Sequence, residues 1–527
     1  MKPACGLIFI VFLLSLKVTF GQTEDNSALD KKINIEAKNE TVASVLDKIT
    51  SQSHIFFSYD ATLVNTEKKI DASLTDKTIR EILNVLFESK CVYHVLDDQI
   101  VITIRKSEDE KKKADEMNGA NPGIIVFRGK VIDGNERDAL PYSSISVQKR
   151  NIGTISNTDG EFELKIPGTM IDDTVVVSCL GYRQFRLPVA KIDKDVVTVY
   201  LQPTIFQFQE VNVTYISPQE ILRRFLSKIT LNYAKETEIM TSFYREVLKQ
   251  DQNYIDVAEA VMEIQKSAYD NSCTEDKVKY IKGRKSLNVK PFQFIDFKIQ
   301  GGPYYITKQD VVKTLDSFLD PAFFELYKYS LDEIVEYDNR DTYVVRFKPK
   351  EKVEDQSYQG KLFIDMSSFA LVHAEFELSR SGLKFGQQSL IKKKPKDFYV
   401  RPIQAKYQVS YRRSEGKWHL SNAENSIKFR VKSKKDQINS IFHSTSDLVI
   451  TDFKTDDGTH FKRNEIFGSK DIFTEVVTSY DEAFWGEYNT IKPSEDLINT
   501  LQKYYQENDS LFQQKQKVEE RPIKKQP

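Results

Sequence analysis

"NIGTISNTDGEFELKIP", residues 151–167, is an alternating run, a tight turn and a second alternating run. Phe162, Leu164 and Ile166 fall on one face, the period-two pattern of a half-buried strand. Asp159-Gly160 at the turn suits a hairpin whose central residues need positive φ. The spacing therefore predicts a hairpin. Its flanks extend the pattern. "IIVFRGKVID" (124–133) alternates as a first strand, and "ALPYSSISV" (139–147) supplies a second after Pro141. "TVVVSCLGY" (174–182) reads as a buried strand ending in a turn at Gly181, and "VVTVYLQP" (196–203) closes the sheet. These runs with regular turns predict a seven-stranded β-sandwich over 124–203.

Gly129, Val131, Pro141, Gly153, Thr154, Thr158, Asp159-Gly160, Phe162 and "SCLGYR" (178–183) carry a resemblance to the carboxypeptidase regulatory-like domain, a transthyretin-type sandwich. In true carboxypeptidases that sandwich sits beside the catalytic domain and holds no zinc. None of the six histidines here has Glu at the third following position, so the zinc motif HxxE is missing.

The 527 residues imply two to four domains. The chain is 40% hydrophobic and 29% charged, with a net charge of −1. That composition fits soluble globular domains, and the charge gives no reason to expect nucleic acid. Lys2, the apolar run Leu7–Leu16 and the small residues Thr19 and Gly21 form an export signal over 1–21. The apolar run is shorter than the about 20 residues a spanning helix needs. Behind it remain Cys91, Cys179 and Cys273, an odd number that argues against a disulfide framework. The mature chain is expected in the periplasm, associated with the outer membrane.

Residues 33–105 follow the order β-α-β-β-α-β-β. "TVASVLDKITSQS" (41–53) places Val42, Val45, Leu46 and Ile49 on one helical face, and "TIREILNVLFES" (78–89) does the same with Ile79, Ile82, Leu83 and Leu86. "ETVASVLDKIT", "IFFSYD" and "LTDKTIREILNVLF" resemble the short N-terminal (STN) domain of secretins and TonB-dependent transducers. The resemblance implies a non-catalytic periplasmic domain that binds other proteins. "SEDEKKKADEMNGANPG" (107–123) lies in a solvated linker, 106–123.

"FQFQEVNVTY" (206–215) resembles the segment that joins such a sandwich to a TonB-dependent barrel, an arrangement typical of Bacteroidetes. The barrel does not follow. "SPQEILRRFLSKITLNYAKE" is an amphipathic helix with Ile221, Leu222, Phe225, Ile229 and Leu231. The remaining residues are too few for a plug and a 22-stranded barrel. They read as a large antiparallel β-sheet domain with packed helices, 216–508, and a polar tail, 509–527. "YVVRFKP" (343–349), "ALVHAEFEL" (370–378), "KYQVSYRR" (406–413) and "SIKFRVKS" (426–433) alternate between apolar and charged faces. "QGKLFIDMSSFALVHAEFEL" (359–378) is similar to hairpins of the outer-membrane lipoprotein carrier family, curved sheets wrapped around helices. Tyr343, Val345, Phe347, Leu362, Ile364, Val372 and Phe376 form the candidate apolar face, either core or ligand-binding.

No GxSxG elbow, HExxH or P-loop occurs. His373 and Glu375 share what reads as the solvent face of a strand, two groups without a third metal ligand. "SLIKKKPKDF" (389–398) carries four lysines that would meet water, phosphate headgroups or lipopolysaccharide. The expectation is a multi-domain α+β and all-β protein, with no catalytic residues, metal or cofactor. It would be an adaptor or accessory subunit binding outer-membrane or periplasmic proteins. A lipid or acyl-chain carrier, or a small integral barrel, is the alternative.

Overall fold

The computed structural model describes residues 27–500, apart from 60–67, 105–122, 205–215, 287–297, 474–484 and some shorter interruptions. The export signal, the charged linker up to residue 122, the joining segment 206–215, the polar tail and Cys273 lie outside the described residues. Two compact units result, Met1–Phe57 with Asn65–Ile102, and Ser58–Val64 with Thr103–Pro527.

The N-terminal unit contains α1 (Ser27–Asp30), β1 (Lys32–Thr41), α2 (Val42–Ser53), β2 (Phe56–Tyr59), β3 (Lys69–Thr78), α3 (Ile79–Leu86), β4 (Cys91–Leu96) and β5 (Gln99–Ile104). β1 pairs with β3, while β2, β5 and β4 form a second sheet. Helix α3 starts at a capping box. The Thr78 hydroxyl accepts from Glu81 N at 3.2 Å, and the Glu81 carboxylate accepts from Thr78 N at 2.9 Å. Ile79, Ile82, Leu83 and Leu86 form its buried face.

The sandwich comprises β6 (Ile124–Asp133), β7 (Ser144–Val147), β8 (Gly153–Ile155), β9 (Glu161–Pro167), β10 (Thr174–Ser178), β11 (Phe185–Pro188) and β12 (Val196–Leu201). One sheet runs β11-β10-β7-β8 and the other β12-β6-β9. The expected hairpin over 151–167 is therefore not one, because β8 and β9 belong to opposite sheets. The turn is a corner. Asn157 Oδ1 accepts from Asp159 N and Glu161 N at 2.9 and 2.8 Å, and Gly160 alone of the Asp-Gly pair has positive φ, +77°. Gly160 O accepts from Val131 N at 2.8 Å, which hands the chain across to β6.

The rest of this unit holds α4 (Pro218–Ser227), α5 (Ile229–Asn232), β13 (Glu238–Gln250), β14 (Asn253–Lys266), β15 (Lys277–Ser286), β16 (Lys298–Ile299), α6 (Pro303–Thr307) and α7 (Val311–Thr314). It continues through β17 (Tyr327–Tyr337), β18 (Arg340–Pro349), β19 (Tyr358–Asp365), β20 (Leu371–Leu378), α8 (Arg380–Phe385), α9 (Gln387–Leu390) and β21 (Ile391–Lys393). It ends in β22 (Tyr399–Ser414), β23 (Lys417–Ser433) and β24 (Ile438–Thr455). Ten strands form one antiparallel sheet in the order β15-β14-β13-β24-β23-β22-β20-β19-β18-β17. Its end strands, β15 and β17, do not pair with each other among the described residues.

One row crosses all ten strands in register: Leu331, Val345, Leu362, Ala374, Val409, Ala423, Leu448, Tyr244, Ala260 and Gly283. All but Gly283 belong to one core or pack against it. Ile221, Leu222 and Phe225 of α4, Ile306 of α6 and Val311 of α7 pack with that row in a single core. Leu231, expected on the apolar face, is exposed instead. Asp310, fully buried, caps α7 and anchors it to the sheet. It takes Lys266 Nζ at 2.6 Å, Tyr411 Oη at 2.7 Å and Tyr269 Oη at 2.8 Å. Burial opposes ionisation of Asp310, but Lys266 and the donated hydrogen bonds outweigh it and hold the carboxyl below its usual range.

Candidate functional site

Side chains alternate across a sheet, so the neighbouring row faces outward. That row also crosses every strand: Ser330, Arg346, Lys361, Glu375, Gln408, Glu424, Asp447, Arg245, Glu259 and Arg284. A polar row reads from sequence as a hydrated face. Half of it is not hydrated, because the sandwich and a C-terminal strap lie over β13, β14 and β24.

Much of the docking of the sandwich comes from the 151–167 stretch, with Gly181 N donating to Glu336 O of β17 at 2.9 Å beside it. Asn151 Nδ2 donates to Phe453 O, its carbonyl accepts from Arg412 Nη2, and its Oδ1 accepts from Ser414 Oγ, each at 2.8 Å. Ile155 enters an apolar cluster with Phe243, Val261, Val449, Trp485 and Ile491. The strap runs along β8 and β9. Thr154 Oγ1 donates to Thr490 O at 3.0 Å, Asn157 Nδ2 to Pro493 O at 3.1 Å, and Lys165 N to Asn489 Oδ1 at 2.6 Å. Asp159 accepts from Glu495 N at 2.8 Å, where the chain turns helical.

Five charged groups lie side by side under this cover. Arg245 Nε and Arg284 Nε clasp opposite oxygens of Glu259 at 2.7 and 2.6 Å, and Arg245 Nη2 donates to Ile491 O at 2.6 Å. Burial disfavours the Glu259 charge, yet the two guanidiniums keep its carboxyl below the ordinary range. Next in the row stand Asp447 and Glu424, two acids directly opposite each other on adjacent strands. Burial raises both carboxyls, and the Asp447 charge raises Glu424 further. Tyr142 of the sandwich, at φ +57°, hydrogen-bonds Glu424. Glu424 Oε2 and Asp447 Oδ1 are out of contact with solvent and have no hydrogen-bond partner among the described residues. With all five groups ionised the cluster carries one net negative charge. A single proton on the acid pair neutralises it, which is the state a desolvated site favours. A cavity of about 380 Å³ adjoins Asp447, between Tyr142, His443 and Leu497.

The other half of the outer row is open. Arg346, Lys361, Glu375 and Gln408 border a groove of about 480 Å³ with Lys348, Glu377 and Lys406 from the next row. Arg346 pairs with Asp332.

The seven residues of the candidate apolar face, Tyr343, Val345, Phe347, Leu362, Ile364, Val372 and Phe376, are all buried and share one cluster with the helices. His373 is not on a solvent face. It is buried over Phe363, with Nδ1 at 2.8 Å from Ser410 Oγ and Nε2 at 3.3 Å from Glu375 Oε1. Among the described residues no three His, Cys, Asp or Glu side chains are grouped to hold a metal. No described helix is long and apolar enough to cross a membrane. The acid pair, the clasped Glu259 and the docking role of Asn151 escaped sequence reasoning. Their partners lie up to about 300 residues away, and only the repeated in-strand placing of charges hinted at a row.

Residues 127–213 match the model of the CarboxypepD_reg-like domain. No curated protein matches the chain. A solved putative outer membrane lipoprotein-sorting protein domain from Vibrio parahaemolyticus is 10% identical, with a TM-score of 0.22, over 46% of this chain and 95% of that one. A DUF1329 family protein from Desulfovibrio piger is 8% identical, with a TM-score of 0.21, over 46% and 96%. A putative membrane-associated protein of unknown function from Bacteroides fragilis is 8% identical, with a TM-score of 0.13, over 64% and 100%. Likenesses this slight carry no argument about the fold or function of this chain. The chain thus contains a regulatory-like β-sandwich beside a large antiparallel sheet.

Proposed function

We propose that this protein is an exported, non-enzymatic adaptor of the bacterial envelope. In this reading the N-terminal unit, which resembles the STN domain of secretins and TonB-dependent transducers, engages a partner protein. The sandwich and ten-stranded sheet act as one rigid body that presents it. One observation carries the preference for an adaptor over an acyl-chain carrier: the sheet face that would cradle a chain is filled by α4, α6 and α7. The N-terminal unit offers an apolar contact at Val85, which stands exposed on α3.

The test is site-specific photo-crosslinking from position 85 in intact cells. The expected result is a discrete adduct with one envelope protein. The same adduct should form from a probe at a neighbouring exposed α3 position and be lost there when Val85→Asp is added. Adducts no different from those of a probe at an exposed site on the sandwich would overturn the reading.

A further inference from the structure

We propose that one rim of the ten-stranded sheet docks onto the surface of an anionic phospholipid bilayer. The rim is the end where β17, β19 and β22 begin and where β18, β20 and β23 finish. Four large apolar side chains stand exposed there: Phe323, Leu326, Phe385 and Tyr399, the last 58% exposed. Phe323 and Leu326 lie in the 3₁₀ turn that leads into β17. Phe385 ends α8, and Gln387 of the following turn donates to Val400 O of β22 at 2.9 Å, which fixes that segment beside Tyr399. Four strand spacings separate β22 from β17, about 20 Å at the usual inter-strand distance. The apolar groups are therefore spread over a face as wide as a small lipid patch rather than gathered into one hole.

Charge picks the occupant. The whole chain carries −1, but this rim is basic. Lys328, Lys348, Lys384, Arg401, Lys432 and Lys434 stand exposed around the apolar groups. Tyr399 pairs directly with Lys432 across β22 and β23. Of the exposed acids at this end, Glu325 and Asp397 are answered by further lysines, Lys350 at 3.5 Å and Lys435 at 3.9 Å, and Glu351 and Asp355 stand in the loop between β18 and β19, which leaves the cations in excess. Aromatic and aliphatic side chains ringed by cations are the signature of a surface that sits in the headgroup layer. Apolar groups enter the acyl boundary, and each nearby Lys or Arg strengthens binding to anionic lipid by about fivefold. A polyanion such as nucleic acid would use the cations and leave Phe323 and Leu326 without a role. The lysine-rich stretch 389–398 leads directly into Tyr399.

The proposal concerns the sheet alone and does not depend on the partner of the N-terminal unit. Its test is co-sedimentation of the mature chain with vesicles of phosphatidylglycerol and phosphatidylcholine, and with phosphatidylcholine alone. Binding is expected to the anionic vesicles only and to weaken steeply with added salt. Two variants share the prediction, Phe323→Ser/Leu326→Ser/Tyr399→Ser and Lys384→Glu/Arg401→Glu/Lys432→Glu. Each should lose at least about tenfold in affinity while keeping the parent's thermal unfolding, since every altered side chain is exposed. Equal binding to both vesicle types, no binding to either, or full binding by the serine variant would each overturn the proposal. A serine variant that still binds while duplex DNA competes it off would identify a polyanion site in its place.

Discussion

The Arg412 guanidinium occupies the space that a side chain at residue 153 would need. A Cβ built on Gly153 would lie 2.0 Å from Arg412 Nη1 and 3.1 Å from Ile145 O. Arg412 is buried and donates to Asn151 O, so the glycine is what lets a residue of the sheet reach into the sandwich. Gly153→Ala should push the guanidinium out of this seat and cost about 1–3 kcal/mol, the penalty for breaking a buried charged hydrogen bond. Urea unfolding checks it, with limited proteolysis reporting on the junction. A variant as stable and as protease-resistant as the parent would show that Arg412 has another place to go.

The acid pair makes the junction sensitive to pH. Glu424 and Asp447 have carboxyls raised by burial, so the folded state holds a proton that the unfolded chain releases at about pH 4. Their contribution to stability is full below that pH and is lost as pH rises through the raised folded values. Arg245, Lys249, His443, Asp496 and Tyr142 surround the same cavity or row, and of these Arg245 moderates the rise at Asp447. Between about pH 4 and about pH 9 the stability measured by urea unfolding should therefore fall, by about 1.4 kcal/mol for each unit of raised pKa. Glu424→Gln/Asp447→Asn keeps the neutral shape without the proton and should flatten the slope. The same slope in parent and variant would remove the pair from this role.

Much of the strand pattern was legible because it is local. Val345, Phe347 and Phe376 alternate with charges, and that alone separates an inner from an outer face. Pairing is not local. Glu259 meets Arg245 and Arg284 only through the ladder of β13, β14 and β15, and nothing near any one of them announces the others. Asp159-Gly160 misleads for the same reason. A tight turn is encoded in four residues, but whether the next strand pairs with the last or crosses to another sheet depends on Val131, nearly thirty positions back. The charged outer row was read as hydrated because charges usually are. The exception required a second layer, built from Ile155, Trp485 and Ile491, that no single strand reveals. The candidate apolar residues could be named in advance, but their neighbours on α4 and α7 could not.

Lys266 and Asp310 test how the helices are held. Both are fully buried, and Lys266 also meets Asp276 at 2.6 Å. Lys266→Met removes one charge and leaves two carboxylates facing each other, Asp310 and Asp276. The loss should be about 3–5 kcal/mol, the usual result of breaking a buried ion pair from one side. Tyr411→Phe deletes only one hydrogen bond to Asp310 and should cost about 1 kcal/mol. Thermal unfolding of the two variants checks the ordering, and a milder effect from Lys266→Met than from Tyr411→Phe would contradict the account of α7 as an anchored plug.

Leu362 decides between core and cradle. It sits in the middle of the inner row, between Val345 and Ala374, with no exposure to solvent. If the helices fill this face in the working protein, Leu362→Ala creates a cavity in close-packed surroundings and costs about 2–5 kcal/mol. If instead the helices withdraw to admit an acyl chain, the helix-filled state is one of two alternatives. Shrinking Leu362 would then enlarge the chain's bed, and lipid would raise the stability of the variant more than that of the parent. The expected outcome is the first, measured as a fall in unfolding temperature that added fatty acid or phospholipid does not restore. Val345→Ala should behave alike, because it lies in the same row and meets the same helices. Restoration of either variant by an apolar chain would move the inner face from scaffold to binding site.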